Sequence, residues 1–283
     1  MRRYKIIHRT YYNFSGTVVL GPHTMRLRPR EDHELRIESS LLNISPTANL
    51  SWHRDVEDNS VAMATFSMPT NKLSIESEVV IQQYNLTPFD FLVADYGINY
   101  PFAYLQDDWD VLAPYSVLIE KSASDSLAQW IANLWRPSEQ IQTYSLLQRI
   151  ATHIQQTISY RRREEAGVQS ALQTLSSGTG SCRDFANLFI EAVRYLGIAS
   201  RFVSGYLRAQ PSSFDYGATH AWAEVFLPGA GWKGFDPTLG NIVGTDHIAV
   251  AVSRKPELVP PVEGSFTGPV GANLDVGVWV IDL

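Results

Sequence analysis

The sequence is poor in cysteine: among its 283 residues, only Cys182 carries a thiol. A single cysteine excludes an intramolecular disulfide and any site built from several cysteines, and we expect neither a metal nor a cofactor. The sequence also lacks an apolar run of about 18 residues, the length that a membrane-spanning helix needs. The basic N-terminus is not followed by the apolar stretch of a signal peptide. We therefore expect a cytoplasmic protein without a membrane partner.

Positive charge is also in short supply, with 23 Lys and Arg residues against 29 Asp and Glu residues and a net charge of −6. This balance argues against nucleic acid as the main partner, because phosphate backbones bind to basic surfaces. We find no internal repeat and no low-complexity segment. Hydrophobic residues make up 45% of the chain, which is typical of a globular protein. The sequence leaves the oligomeric state open.

The first third of the chain predicts β-strands. Its runs of period-two alternation are Tyr4–Tyr12, His23–Pro29, Leu35–Leu41, Ser60–Met68 and Leu73–Tyr84. We expect Asn13–Gly16 to break the first of these strands. Short strands separated by turns favour a β-sandwich or an open barrel. The histidines of this region are scattered over different strands and predict no metal site.

The rest of the chain alternates helices with strands. Residues 85–120 are rich in aromatics and proline and predict an ordered connector. Helical periodicity follows at 124–134 and 143–158, and strand patterns return at 199–207, 219–227, 232–238, 248–252 and 273–282. We therefore predict an α+β protein with two domains. Residues 1–115 form a β-rich domain with its connector, and residues 116–283 form the second domain.

A third helix begins at the single cysteine. Apolar residues recur at helical spacing from Phe185 to Leu196, and Gly197 follows as a C′ glycine. Ser181 can cap the start of this helix, which puts Cys182 in the first turn. The helix dipole favours a thiolate there. The alternative is that Cys182 is a small buried hydrophobe, the commoner fate of a free cysteine.

A histidine and an aspartate follow on two strands of a predicted hairpin. His220 opens the first strand and Asp236 closes the second, so the two can touch at one end of the sheet. The carboxylate could then accept Nδ1–H and leave Nε2 facing the thiol. If Leu227 paired with Trp232, however, the two side chains would point to opposite faces. We therefore predict a bulge or a loop of odd length around residues 228–231.

Each residue also has a simpler interpretation. His220 could be bonded within the sheet, and Asp236 precedes a proline, where aspartate is common in turns. All three residues in this order, with the cysteine at a helix start, favour a Cys-His-Asp triad. The spacing differs from that of papain-like enzymes, whose histidine follows the cysteine by about 130–150 residues, and from that of caspases, whose histidine precedes it.

The motifs around these residues resemble the transglutaminase-like cysteine enzyme core. They are GTGSCRDFA at 178–186, RFVSGYL at 201–207, THAWAEV at 219–225 and GFDPT at 234–238. A resemblance to the N-terminal region of bacterial transglutaminase-like proteins is found in the stretches 25–30, 88–91 and 100–104. A resemblance to the family's C-terminal stretch runs from 247–252 through 260–264. The chain departs from the family pattern at Asn187, where many relatives have His, and at residues 55–60, which replace a Gly-Asn turn.

The resemblance implies a papain-like transglutaminase core in which Cys182 is the nucleophile, His220 the acid/base and Asp236 its orienting carboxylate. Tyr160 is a candidate second oxyanion donor, with ordinary packing as the alternative. Trp222 is a candidate wall of the site, although core packing would also explain it. By family position, Arg183 and Asp184 support the helix start.

The implied activity is hydrolysis of a peptide or protein amide through a thioester intermediate, without cofactor or metal. Alternatives are transglutaminase-type transfer to an amine, and acyl transfer from a thioester cofactor as in arylamine N-acetyltransferases. A non-catalytic binding module is the third alternative, because some relatives of this core lost the triad.

Overall fold

The computed structural model describes residues 1–87, 89–163, 165–208, 218–269 and 271–283. The stretch 88–91, one of the resembling motifs, therefore begins outside the described residues. Within the described ranges, the helices are too short or too polar to span a lipid bilayer.

The N-terminal region is built from antiparallel strands. They are β1 Arg2–Met25, β2 Leu35–Ser45, β3 Asn49–Arg54, β4 Ser60–Thr65 and β5 Thr70–Gln83, in the order β2-β5-β1-β4-β3. The first half of β1 pairs with β5 and its second half pairs with β4. The predicted break at 13–16 is wrong, because β1 continues through these residues with a register shift between Asn13 and Val18. A β-bulge of this kind bends a strand without ending it.

The middle of the chain supplies the helices. In chain order the elements are β6 Asn99–Tyr100, α1 Gln106–Leu112, α2 Ser124–Ala132, β7 Ile141–Gln142, α3 Thr143–Thr157, β8 Ser159–Tyr160, α4 Ala171–Ser177, β9 Thr179–Gly180 and α5 Cys182–Tyr195. The structure confirms the helices α2, α3 and α5. Helices α1 and α4 were not predicted, because each has only seven residues and shows too little of the helical period.

A second antiparallel sheet follows α5. It contains β10 Ser200–Leu207, β11 His220–Leu227, β12 Gly231–Asp236, β13 Asn241–Ile242 and β14 His247–Ser253, in the order β13-β12-β11-β10-β14. Helix α5 packs on β10 and β11 with its apolar face. Phe185, Leu188 and Phe189 of that face are fully buried. This confirms the predicted class, an α+β protein in which the cysteine-bearing helix packs on an antiparallel sheet.

The last two strands return to the N-terminal sheet. Strands β15 Val262–Thr267 and β16 Ala272–Asp282 both pair with β1. The C-terminal strands therefore complete the sheet that the N-terminus begins. The division of the chain into two domains at residue 115 remains a prediction.

The two sheets also share a buried junction. Tyr206 and Ile248 of the second sheet pack against Tyr4 and Ile6 of β1 in one apolar cluster. The Asn59 side chain, fully buried, donates to the Val252 carbonyl and accepts from the Val252 N–H, each at 2.8 Å. The turn at 55–60 therefore anchors the N-terminal region on β14.

Candidate active site

Cys182 is the first residue of α5, and its side chain is partly exposed. Ser181 is the N-cap and forms a capping box with Asp184, which confirms the predicted cap. Gly197 lies just beyond the other end with φ of 77°, as expected for a C′ glycine. The thiol therefore lies at the positive end of the helix dipole.

A buried carboxylate fixes the start of α5. Asp184 is fully buried and accepts hydrogen bonds from Ser181 N–H at 2.8 Å, Gln169 N–H at 2.7 Å and Arg163 Nη1 at 2.8 Å. Burial opposes its ionisation, but these donors outweigh burial and hold the pKa of Asp184 below its usual value. Asp184 thus holds the segment before α4 and the start of α5 together.

Two neighbours extend this scaffold. Arg183 donates to the carbonyl oxygen of Glu165, and Asn187 Nδ2 donates to the carbonyl oxygen of Gln169 at 3.0 Å. Asn187, which departs from the family pattern, therefore has a scaffolding contact on the exposed side of the helix start.

The hairpin register brings His220 and Asp236 to one face of the sheet. Leu227 pairs with Gly231, so the turn between β11 and β12 has an odd number of residues. This is the register that was predicted, and it places Asp236 opposite Trp222, two residues from His220. Gly231 has φ of 75°, a left-handed conformation that glycine adopts without strain.

The histidine bridges the carboxylate and the thiol. His220 Nε2 lies 2.7 Å from Asp236 Oδ2, and the Cys182 side chain lies close enough to the His220 ring to raise the pKa of this imidazole. The prediction that Nδ1 faces the carboxylate is wrong. Because Nε2 contacts Asp236, Nδ1 is the nitrogen on the thiol side. The ring nitrogen that faces a partner depends on side-chain torsions, which strand spacing does not encode.

The charges of the pair stabilise each other. Burial by itself lowers the pKa of His220, but the charge and hydrogen bond of Asp236, helped by Cys182, raise it well above its usual 6.5. Burial likewise opposes ionisation of Asp236, and its contacts with His220 and His247 hold the pKa of this carboxyl well below its usual 3.8. The site therefore favours an imidazolium beside a carboxylate.

Sequence reasoning missed His247 as a site residue. Its Nε2 lies 2.9 Å from Asp236 Oδ2, the same oxygen that His220 contacts, and its Nδ1 accepts the N–H of Gly244 at 3.2 Å. His247 begins β14, which is separated from β12 by β11 and β10 in the sheet order. No local pattern signals a contact across two intervening strands. The resemblance of the stretch 247–252 to the family was the only available hint.

Trp222 packs against both histidines. Its ring centroid lies 5.2 Å from that of His247, edge to face, and 6.1 Å from that of His220. A Cβ atom at Gly205 would lie 2.5 Å from the indole ring, so the glycine leaves room for this packing. Val203 and Val252 complete the cluster around the indole. Trp222 therefore packs into the core and also covers the rings of the site.

Tyr160 lies beside the strand that leads to the cysteine. It pairs with Gly180 in a parallel bridge between β8 and β9, and its ring packs edge to face on Phe185 at 6.1 Å. These contacts place Tyr160 near the start of α5. Its role as an oxyanion donor stays a prediction.

The two histidines and the aspartate of the site also form a group of possible metal ligands. Single ligand atoms of His220, Asp236 and His247 lie within 4.8 Å of one another. However, the N–H of Gly244 binds to Nδ1 of His247, so the ring proton is on Nε2 and points at Asp236. A metal ion would have to displace this bond and the bond from His220, so the observed hydrogen bonds do not fit a metal site.

Comparison with known protein families finds a match for two regions of the chain. Residues 135–237 match the transglutaminase-like superfamily, and residues 4–82 match the bacterial transglutaminase-like N-terminal region. An uncharacterized protein of Mycobacterium tuberculosis is 27% identical over 301 residues, which covers 99% of this chain and 92% of the relative. An uncharacterized protein of Mycobacterium leprae is 23% identical over the full length of both chains.

The fold is also found in a solved structure. The crystal structure of a candidate cysteine protease from Cytophaga hutchinsonii is similar over 100% of this chain and 91% of its own, with a TM-score of 0.76 and 18% identity. The matched range of the superfamily contains Cys182, His220 and Asp236. Residues 135–237 of the chain therefore carry the core of the transglutaminase-like superfamily, and residues 4–82 carry the N-terminal region of bacterial transglutaminase-like proteins.

Proposed function

We propose that this protein is a cysteine hydrolase that cleaves amide or peptide bonds through a thioester on Cys182. The observation that supports the proposal most directly is the continuous contact from Cys182 to His220 and from His220 to Asp236. This row supplies a nucleophile, a proton carrier and a carboxylate that orients the carrier.

Before the acylation step, Nδ1 of His220 has already taken the proton of the Cys182 thiol, and the thiolate sulfur then attacks the carbonyl carbon of the substrate. The C–N bond then breaks, and the leaving amine takes that proton from His220. Asp236 keeps its charge throughout, because it stabilises the imidazolium by an ion pair rather than by accepting a proton. The product of this step is a thioester on Cys182 and a free amine.

The oxyanion of the tetrahedral intermediate needs hydrogen-bond donors. The N–H of Cys182 lies in the first turn of α5, where helical N–H groups have no partner within the helix. The hydroxyl of Tyr160 is our candidate for the second donor, because β8 runs beside the strand that leads to Cys182. Both donors belong to segments that Gly180 brings together.

In the deacylation step, water gives a proton to His220 while its oxygen attacks the thioester carbonyl. The C–S bond breaks, the product leaves as a carboxylic acid, and His220 returns the proton to the sulfur. We prefer water as the acceptor because it is always present. An amine in its place would give transamidation by the same steps.

Intact-mass spectrometry tests this proposal. The protein is exposed to peptide and isopeptide libraries in heavy-oxygen water, and acyl adducts are mapped to tryptic peptides. We expect an adduct on the peptide that contains Cys182, its absence in Cys182→Ala, and heavy oxygen in the released acid. An amine-linked product without heavy oxygen would indicate transamidation. No adduct and no cleaved product from any library member would contradict the enzymatic proposal.

A further inference from the structure

The carboxylate of Asp236 receives more donors than a triad requires. Oδ1 accepts the N–H of Thr238 at 2.8 Å and that of Leu239 at 3.3 Å. Oδ2 accepts from His220 Nε2 at 2.7 Å and from His247 Nε2 at 2.9 Å. Both oxygens are therefore held, and the second histidine is the donor that the proposed chemistry leaves without a role.

The direction of the bond from His247 is fixed by its other nitrogen. Gly244 N–H donates to Nδ1, so Nδ1 must carry the lone pair and Nε2 must carry the proton. The His247 side chain is almost fully buried, as is the carboxylate that it contacts. A neutral imidazole thus donates to a buried carboxylate, and this hydrogen bond is of the stronger, charge-assisted kind.

The surroundings hold the His247 ring in place. Its centroid lies 5.2 Å from that of Trp222, and the two planes meet at 81°. The neighbouring residue on β14, Ile248, is fully buried in the junction with Tyr4 and Ile6 of β1. The ring is therefore positioned from both faces of the second sheet.

We propose that His247 is a positioning residue of the triad, whose Nε2–H holds Asp236 Oδ2 in line with His220 Nε2 and so keeps Nδ1 of His220 towards the Cys182 thiol. The inference rests on the proposed function, because it gives His247 a role only if His220 takes the proton of Cys182. The His247 ring centroid also lies 6.0 Å from that of His220, and we assign the positioning role to the hydrogen bond from His247 Nε2 to Asp236 Oδ2.

Alkylation of Cys182 by iodoacetamide near neutral pH reports this positioning, because the thiolate forms by proton transfer to a correctly oriented His220. His247→Phe keeps the ring shape and removes the donor, and we expect alkylation to slow about tenfold. His247→Gln places an amide donor near the position of Nε2, and we expect it to recover a rate within about threefold of the native one. His8→Phe is the matched control, since His8 is also buried and hydrogen-bonded, to Tyr206 and Thr10.

Three results would overturn the inference: a folded His247→Phe with the native rate, a His247→Gln as slow as His247→Phe, or an equal loss in His8→Phe. His220→Ala separates the inference from the proposed function. If His220→Ala also alkylates at the native rate, the proposed function fails. If His220→Ala is slow and His247→Phe is native, only the positioning role fails.

Nuclear magnetic resonance of the native protein with labelled histidine gives a second test that needs no variant. We expect His247 to carry a proton on Nε2 and none on Nδ1. A proton on Nδ1, or an Nε2 without one, would overturn the inference even if His247→Phe does not fold.

Discussion

Leu227 pairs with Gly231 across the turn between β11 and β12, and this pairing decides where Asp236 points. Side chains on a strand alternate between faces, so a shift of one residue would move Asp236 to the face opposite His220. The left-handed backbone of Gly231, at φ of 75°, ends the turn at this residue. One glycine thus couples a surface turn to the buried carboxylate of the site.

We expect Gly231→Ala to destabilise the protein by about 1 kcal/mol, because a side chain strains a left-handed backbone. Nothing lies within 4 Å of the position that its Cβ would take, so steric overlap adds no cost. Gly244→Ala is the matched control, because its Cβ would also meet open space and its φ is outside the left-handed region. Urea unfolding measures both, and equal midpoints would contradict the strain argument.

Asp184→Asn should destabilise the fold by about 3 kcal/mol at neutral pH. The substitution leaves the Arg163 guanidinium without its buried counter-ion. It also places the amide NH2 group of the new side chain beside the backbone N–H groups of Ser181 and Gln169, which are themselves donors. Asp125→Asn, at an exposed carboxylate in the first turn of α2, is the control and should change stability little. Chemical denaturation of both variants and of the native protein measures these differences in stability.

Stability should also fall in acid because of Asp184. Its pKa is lowered in the folded state, so its contribution is complete above the usual value of 3.8 and is lost as the pH falls through the lower folded value. We therefore expect the stability difference between native protein and Asp184→Asn to shrink as the pH drops below 3.8. A difference that stays constant as the pH falls below 3.8 through the folded value would show that charge is not the cause.

Asp236→Asn should slow alkylation of Cys182 by roughly tenfold near neutral pH, because an unassisted cysteine is only a few per cent thiolate there. Asp236 raises the pKa of His220 well above 6.5. The imidazolium therefore persists as the pH rises past 6.5, and it is lost only as the pH rises through the raised pKa of the folded state. Without the carboxylate the imidazolium is lost at lower pH. Asp246→Asn, at a half-exposed partner of Arg208, is the control and should react like the native protein.

Asn59→Ala should destabilise the protein by about 2–3 kcal/mol, because it leaves the buried N–H and carbonyl of Val252 without partners. Asn49→Ala, at an exposed position of edge strand β3, removes the same amide where water can replace it. Thermal unfolding measures the stability of both variants, and hydrogen exchange measures the protection of the backbone amides of β14 in each. Unchanged protection of the Val252 amide in Asn59→Ala would contradict this role.

Much of the site could be predicted from sequence because its parts are local. Helix α5 carries its apolar period, its cap and its C′ glycine within twenty residues of Cys182, and each of these signals depends only on neighbours. The odd turn between His220 and Asp236 followed from strand alternation together with the requirement that the two side chains share a face. The unbroken β1 could not be foreseen, because its partners lie on β4, β5, β15 and β16, none of which adjoins residues 13–16 in sequence.

The sequence by itself determined the order of cysteine, histidine and aspartate, the helix that presents the thiol, and the face on which the histidine and the aspartate must meet. These features depend on side-chain periodicity and on turns of a few residues. Only the tertiary structure decided that Nε2 of His220 faces Asp236, and that His247 reaches the same carboxylate from β14 across two intervening strands. Such contacts depend on the curl of the sheet and on buried packing around Trp222, which arise from residues distant in sequence and are fixed only when the whole core is assembled.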